Sequence, residues 1–340
     1  MGATAAPLVR DMQLEPKDLY ESLEFDKIID LLTKECLGTL GADAAQQLEI
    51  SSDFKQIDRR LKETNEYKRS IEQGDQVPLA RYEDISNDLR MLEVLDYVLP
   101  EEGLKRINVV LRGMYAIFNF FDGRRAEVYP TLFNIIRRLE FAGQLMEAIE
   151  RVIDEEGNIR PNASPELLKI HKLTISKQKE LDSAFRRVIN KYRDRGWLTD
   201  NLESIRNGRR VLSVPSEHKR KIRGIIHDES STGRTTFIEP EEIIEINNDI
   251  FDLQQSYRRE IYRILRDLSR ELHPYVPIIR DYQQLIVRFD LIQAKAMLAS
   301  KMRGEMPKLL DRPHLGIQMG YHPLLYLKNK ALAKTTVPFD

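Results

Sequence analysis

The chain has 340 residues, of which 41% are hydrophobic and 31% are charged, and its formal net charge is −1. This length allows two or three domains with a sizeable core. The balanced charge excludes a polycationic protein, so any contact with nucleic acid has to come from a local basic patch. The single cysteine, Cys36, excludes an intrachain disulfide and is typical of the reducing cytoplasm, where we expect the protein to work.

The first half of the chain predicts a helical core after a flexible start. Residues 1–16 lack the long apolar core of a signal peptide and are expected to be flexible. Helical periodicity then covers residues 17–160, where Asp53 is predicted to be the N-cap of a long helix. The most apolar stretch, Ile107–Phe121, is too short for a membrane span and contains Arg112. It therefore predicts a core helix, and we expect no membrane partner.

Two long apolar stripes predict a pair of helices over residues 161–197 and 241–272. Ser164 and Pro165 suit the N-cap and the first position of the first helix. Its seam consists of Leu167, Leu181, Phe185, Val188 and Tyr192, with the polar members His171, Thr174 and Gln178. The second seam consists of Ile246, Ile250, Leu253, Tyr257, Ile261, Ile264 and Leu268. Because neither helix can bury its stripe alone, the two are predicted to form an antiparallel hairpin about 45–50 Å long.

The insert between the two helices, residues 198–240, has the alternation of a small antiparallel sheet. Strands are predicted over residues 209–214, 221–227 and 234–238, and the segment DESSTG is predicted to join the last two as a hairpin loop. The insert is therefore expected to form a β tip at the end of the helical hairpin.

The last part of the chain predicts more of the core and then a change of structure. Residues 273–305 continue the helical pattern, whereas residues 306–340 alternate like strands and are expected to begin a further domain. The predicted fold class is therefore mainly α: a helical core domain with a long antiparallel helical hairpin that carries a small antiparallel β sheet.

Positive charge is concentrated in the insert. Between Arg206 and Gly224 there are seven basic residues and one acidic residue, Glu217. Such residues on a small exposed sheet suit contacts with phosphate, which position a protein on a backbone without reading sequence. The alternative is a solvated tip whose charges only maintain solubility. The predicted nucleic-acid-binding residues are Arg206, Arg209, Arg210, Lys219, Arg220, Lys221, Arg223 and Arg234.

Other kinds of site have little support in the sequence. His227, Asp228, Ser230 and Ser231 have the residue types of a hydrolase, but such near neighbours on a strand and turn point in different directions. We expect them to close the turn instead. The histidines lack zinc spacing and no phosphate-binding glycine loop occurs, so we predict no catalytic residue, cofactor or metal within this chain. Trp197 is expected to cap the helix pair rather than stack on a base.

The stretch Asn207–Ile250, read with Arg206, resembles the bacterial MutS2 family of MutS-like proteins. The family pattern is matched by Arg206, Gly208, Arg209, Val211, Pro215, Gly224, Ile225, His227, Asp228, Ser230, Gly233, Thr235, Phe237, Ile238, Glu239 and Pro240. The chain departs from the pattern at Ser213, Ile226 and Thr232, and none of these changes removes a charge. The segments SLEFDKIIDLL (residues 22–32) and HPLL (residues 322–325) are also similar to the family.

The resemblance implies the core, lever and clamp region of a homodimeric ATPase. The lever corresponds to residues 161–197 and 241–272, the clamp to residues 198–240, and residues 306–340 to the start of the ATPase domain. The structural motif of the clamp consists of Gly224, His227, Asp228, Ser230, Gly233, Glu239 and Pro240. ATP with Mg, and in many members a nuclease domain, are then expected in a longer parent protein, beyond Asp340.

The resemblance also implies a function in binding nucleic acid. Phe237-Ile238-Glu239 matches the Phe-x-Glu of mismatch readers but lies at a strand-to-helix junction, so we interpret it as coincidence. We expect a non-catalytic grip on the backbone of branched or structured DNA, or of ribosomal RNA, in recombination suppression or ribosome rescue. The alternatives are a structural arm that contacts a dimer mate or a ribosomal protein, and a hydrolase that uses His227 and Asp228.

Overall fold

The computed structural model describes residues 18–310, 312 and 314–340. The predicted flexible start, residues 1–16, lies outside these described residues. The chain forms two units. The first contains the residues up to Leu95, Glu102–Glu147 and Leu272–Asp340, and the second contains Asp96–Glu101 and Ala148–Glu271.

The mainly α fold class is confirmed. In chain order the described helices are α1 (Leu19–Ser22), α2 (Phe25–Thr33), α3 (Thr39–Gln46), α4 (Phe54–Glu72), α5 (Ser86–Leu92), α6 (Glu101–Phe120), α7 (Arg124–Val128), α8 (Pro130–Ile136), α9 (Gly143–Val152), α10 (Pro165–Arg193), α11 (Glu241–Leu272), α12 (Val276–Met302) and α13 (Pro323–Ala331). The strands are β1 (Glu203–Arg206), β2 (Arg209–Pro215), β3 (Gly224–Glu229) and β4 (Thr235–Pro240).

The core of the first unit is built around α12, which packs against α3 and α4. The apolar stretch that predicted a core helix is α6, and Leu104, Ile107 and Leu111 are fully buried there. Asp53 caps α4 as predicted, because its Oδ1 accepts hydrogen bonds from the backbone N–H groups of Lys55 and Gln56 at 2.9 and 3.2 Å.

A buried carboxylate ties α12 to the loop before α3. Asp290 Oδ1 accepts from Leu37 N–H at 2.8 Å, and its Oδ2 accepts from Gly38 N–H at 3.1 Å and from the Tyr82 hydroxyl at 3.0 Å. Burial raises the pKa of Asp290 above its ordinary value, although the three hydrogen bonds oppose that shift. The glycine at position 41 is required by this carboxylate, since a Cβ there would lie 2.1 Å from Asp290 Oδ2.

The prediction of strands over residues 306–340 is wrong in part. Pro323–Ala331 forms helix α13 instead, because the ring of His322 accepts from the Leu325 N–H and Pro323 fits the first helical position. The extended pairing found in this region is an isolated bridge between Gly320 and Phe339. That these residues begin an ATPase domain stays a prediction.

In the second unit, α10 and α11 form the predicted antiparallel hairpin. Their register is given by three cross-helix contacts: Ser164 with Glu260 at 2.5 Å, Lys177 with Asp249 at 2.9 Å, and Lys191 with Glu242 at 2.6 Å. Helix α10 starts at Pro165 with Ser164 as its N-cap, as predicted, since the Ser164 hydroxyl accepts from the Leu167 N–H at 3.0 Å.

The middle of the hairpin is poorly packed. No residue between Ile170 and Leu181 is buried, nor is any between Ile250 and Glu260, so two facing stretches lack a core. A cavity of about 220 Å³ opens there, lined by His171, Thr174, Gln254, Tyr257 and Arg258. The polar members of the predicted seam thus interrupt the apolar packing of the two helices.

We expect local opening in this stretch. Backbone amides of residues 171–180 should exchange at least about tenfold faster than those of residues 181–192, a ratio that corresponds to about 1.4 kcal/mol. The reason is that opening the middle exposes no buried side chain. Native-state hydrogen exchange measures this directly, with the well-packed residues 181–192 as the internal control. Uniformly slow exchange along α10 would contradict the expectation.

Candidate nucleic-acid interface

The sheet is antiparallel throughout, with the strand order β1-β2-β4-β3. Strand β1 was not predicted, although the Asn207-Gly208 turn is a sequence signal for it. Both turn residues have positive φ, 52° and 75°, as a two-residue hairpin turn requires. The turn pairs Arg206 with Arg209 across β1 and β2.

One face of the sheet is covered by the hairpin. Leu212, Val214 and Ile238 join one buried cluster with Phe185 of α10 and Ile243 of α11. These side chains come from elements that are remote in sequence, and together they fix the sheet to the end of the helix pair. The predicted attachment of a small sheet to the hairpin is thereby confirmed.

A buried carboxylate network joins three strands to α11. Glu239 has no exposed surface, and its Oε1 accepts from Arg209 Nη1 at 2.9 Å and from Asn247 Nδ2 at 2.8 Å. Its Oε2 lies 2.6 Å from His227 Nε2. His227 reaches it because β3 carries a bulge between Ile226 and Asp228, which re-aims one side chain. The network has a structural role at the junction of β4 and α11.

The glycines of the predicted motif are required by close backbone packing and by the turn. A Cβ at Gly224 would lie 2.0 Å from the carbonyl oxygen of Glu239, so only glycine allows β3 to pair with Pro240. Gly233 has a φ of 67°, and its N–H donates to the Ser230 carbonyl at 2.8 Å. The Ser230 hydroxyl accepts from the Thr235 N–H at 3.0 Å, as expected for a turn-closing serine.

Four of the eight predicted binding residues are ion-paired within the unit. Arg209 pairs with Glu239, and Lys219 pairs with Glu229 at 3.0 Å. Arg210 bonds to Asp182 at 2.5 Å and to Glu203 at 2.8 Å, and its guanidinium stacks on the Phe185 ring. Arg206 pairs with Asp228 at 3.3 Å and lies 3.7 Å from the centre of the Phe237 ring. The charges of these residues are largely compensated.

The other four residues, Arg220, Lys221, Arg223 and Arg234, are exposed, and none of them forms an ion pair in the described part of the chain. They do not form a single cluster. Arg220, Lys221 and Arg223 share the segment before β3, whose Arg223 carbonyl accepts from the Glu241 N–H. The Arg234 carbonyl accepts from the Ser216 N–H, at the opposite end of β4. We call residues 220–223 the basic segment.

Sequence reasoning missed a further cation beside this segment. The guanidinium of Arg195 and the Nζ of Lys221 lie 5.1 and 5.4 Å from the centre of the Trp197 ring. Trp197 itself stacks on Tyr192 at 6.0 Å and packs against the hairpin–sheet cluster, which fits the predicted cap of the helix pair. The aromatic ring thus brings the turn after α10 next to the basic segment.

The described residues do not assemble the other candidate sites, which are a hydrolase site, a mismatch wedge and a metal site. His227 is engaged with Glu239, Asp228 with Arg206, and Ser230 with the turn backbone. Phe237 and Glu239 are buried, so this Phe-x-Glu is not displayed as a mismatch wedge. Among the described residues, no group of three or more His, Cys, Asp or Glu could hold a metal ion. Likewise, no described helix is long and apolar enough to cross a membrane.

Fold and site together define a mainly α protein in which an antiparallel helical hairpin carries a small sheet with a basic segment. No protein-family model matches the chain. Relatives named Endonuclease MutS2 do match it. The chain is 31% identical over 315 residues to the one from Alkaliphilus oremlandii, and 31% identical over 322 residues to the one from Ruminiclostridium cellulolyticum. It is also 30% identical over 320 residues to that of Acetivibrio thermocellus.

These alignments cover 92%, 94% and 94% of this chain. Over that region the chain belongs to the MutS2 family, which confirms the resemblance carried by the sheet and the returning helix. The chain spans about 40% of the length of the curated relatives it matches.

Proposed function

We propose that the basic segment and the adjacent Arg195 hold the phosphate backbone of branched or structured nucleic acid without reading its sequence. The observation that carries the proposal is the division of the basic residues. Arg209 and Arg210 are held by carboxylates and the neighbouring core, whereas Arg220 and Arg223 are exposed and have no ion-pair partner among the residues that the structure describes.

Charge compensation explains why this division matters. A guanidinium that already pairs with a carboxylate would have to lose that partner to bind phosphate. An exposed, unpaired cation loses only water, and phosphate neutralised by it releases condensed counterions into solution. Affinity should therefore depend on the unpaired cations, and Arg209 and Arg210 should matter through folding. Of the eight predicted binding residues, we therefore retain Arg220, Lys221 and Arg223, and we add Arg195.

The proposal for the whole protein extends the family membership. We infer that this region belongs to a cytoplasmic homodimeric MutS-like ATPase that uses ATP with Mg. Because the relatives are named endonucleases, we extend the proposal to endonuclease activity of the longer protein. In the proposed dimer each copy contributes one helical hairpin with its sheet. Movement of the two hairpins would open or close their sheets around DNA, or around ribosomal RNA, in recombination suppression or ribosome rescue.

The test is the double reversal Arg220→Glu and Arg223→Glu, with Lys172→Glu and Lys179→Glu as the matched control. The control lysines are exposed on α10 in the same unit and carry the same total charge change. We expect the test variant to bind branched DNA at least about tenfold more weakly. The slope of log K against log salt should become less steep by about 1.8, at about 0.9 per lost phosphate contact.

Two results would contradict the proposal. One is an unchanged salt slope in the test variant, and the other is an equal loss in the control, which would show a response to total charge alone. Titration of branched DNA and structured RNA by fluorescence anisotropy at several salt concentrations gives both quantities. Circular dichroism establishes that both variants are folded.

A protein-contact arm is the second candidate function, because the sheet also exposes apolar side chains. Ile205 is 69% exposed, and Ile225 and Ile226 are about half exposed. A partner protein that covers them would make Ile225→Ser more harmful to its binding than the double reversal. The nucleic-acid proposal predicts the opposite order for DNA binding.

A further inference from the structure

A cavity of about 280 Å³ lies in the first unit beside α4 and α12, whereas the sheet belongs to the second unit. Its lining includes Arg59, Arg60, Glu63, Arg288, Ile292 and Lys295. Four of these side chains are cationic and one is anionic. Nothing in the proposed role of the second unit uses them.

The single carboxylate of the cavity is already engaged. Glu63 is buried, and its Oε1 lies 2.5 Å from Arg288 Nη2 and 3.8 Å from Arg59 Nε. Arg60 and Lys295 form no ion pair in the described part of the chain. The cavity therefore carries an excess of positive charge that the protein itself does not neutralise.

Of the two cations without an ion pair among the described residues, Lys295 is the less exposed. Burial lowers the pKa of Lys295, the charge of Arg60 lowers it further, and Glu63 opposes the shift. Among the described hydrogen bonds, none involves the Lys295 ammonium. A half-buried lysine without a carboxylate partner among the described residues is costly to the folded state, and a bound anion would lower that cost.

We propose that this cavity binds the phosphoryl group of a small phosphate monoester. A phosphate dianion would offset two of the excess positive charges, and guanidinium groups donate to its oxygens in pairs. Ile292, with Leu291 and Leu48 beside it, provides an apolar wall for the organic part of the ligand. The volume approaches the lower end of small-molecule sites.

The test is isothermal titration of the full chain with inorganic phosphate and with adenosine monophosphate at constant ionic strength. The variants are Lys295→Met and Arg60→Gln, with Lys62→Met as the control. Lys62 lies on α4, is exposed and pairs with Asp58 at 2.7 Å. We expect each cavity variant to lose at least about tenfold in affinity for both probes, and the control to stay within about twofold of the unchanged chain.

A second readout separates binding from folding. Lys295→Met should melt at a higher temperature than the unchanged chain without phosphate, since it removes a half-buried charge from a cationic cluster, and it should lose the rise in melting temperature that phosphate causes. Tighter binding of adenosine monophosphate than of phosphate supports the monoester. Binding of phosphate alone, no binding of either probe at millimolar concentration, or unchanged affinity in Lys295→Met overturns the proposal.

Discussion

Replacing Glu239 by alanine is expected to lower the free energy of unfolding of the second unit, which contains the hairpin and the sheet, by about 3–5 kcal/mol. The carboxylate is fully buried and takes hydrogen bonds from Arg209 and Asn247, and it also contacts His227. Removal takes the acceptor from Arg209 Nη1 and the partner from His227, and leaves Asn247 Nδ2 only its 3.3 Å bond to the Arg210 carbonyl oxygen. It also leaves a partly buried guanidinium without a carboxylate, which costs more than the pair itself contributes.

The protein carries its own probe for this measurement. Trp197 is the single tryptophan and packs against the cluster shared by the hairpin and the sheet, so its fluorescence in urea reports the unfolding of this unit. Glu217→Ala is the matched control, because that glutamate is exposed and should change the free energy by less than about 0.5 kcal/mol. Equal urea midpoints for Glu239→Ala and the control would refute a structural role of the network.

The second large effect is expected at Asp290 in the first unit. Asp290→Ala should cost about 2–4 kcal/mol, because the N–H groups of Leu37 and Gly38 and the hydroxyl of Tyr82 lose their acceptor and a cavity remains. Amide exchange at Leu37 and Gly38, together with circular dichroism in urea, measures the loss. Asp281→Ala, an exposed change on the same helix, is the control and should be nearly neutral.

The same carboxylate predicts a direction of pH dependence. Burial raises the pKa of Asp290 in the folded state above the unfolded value near 3.8. The folded state therefore holds this proton where the unfolded state has lost it. The resulting stabilisation is complete below the unfolded pKa and is lost as the pH rises through the folded pKa. Asp290→Asn cannot titrate, so the unchanged chain should lose stability relative to it over that range. A constant difference between the two would contradict the raised pKa.

Local signals were sufficient to predict most helices. Asp53, Ser164 and Pro165 mark helix starts by their own hydrogen-bonding capacity and φ preference, and the structure confirms all three. Apolar spacing likewise predicted the hairpin and the core helix α6. These features need only neighbours within one helical turn, or one stripe that must be buried somewhere.

Short elements with mixed signals were predicted less well. Strand β1 was missed although Asn207-Gly208 is a turn signal, because Glu203–Arg206 has little apolar alternation. The tail alternates enough to suggest strands, yet a single cap at His322 and the helix-forming residues after Pro323 are sufficient for α13. In both segments one local feature outweighed the periodicity.

The sequence by itself determined the helical fold class, the hairpin, the family membership and the concentration of positive charge in the insert. Only the tertiary structure decided which of those charges are available. Arg209 reaches Glu239 thirty residues away and Arg210 reaches Asp182 twenty-eight residues before it, whereas Arg220 and Arg223 pair with no carboxylate in the described part of the chain. The physical reason is that ion pairing depends on distances between side chains from separate elements, and those distances exist only after β-strand register and helix packing have been established.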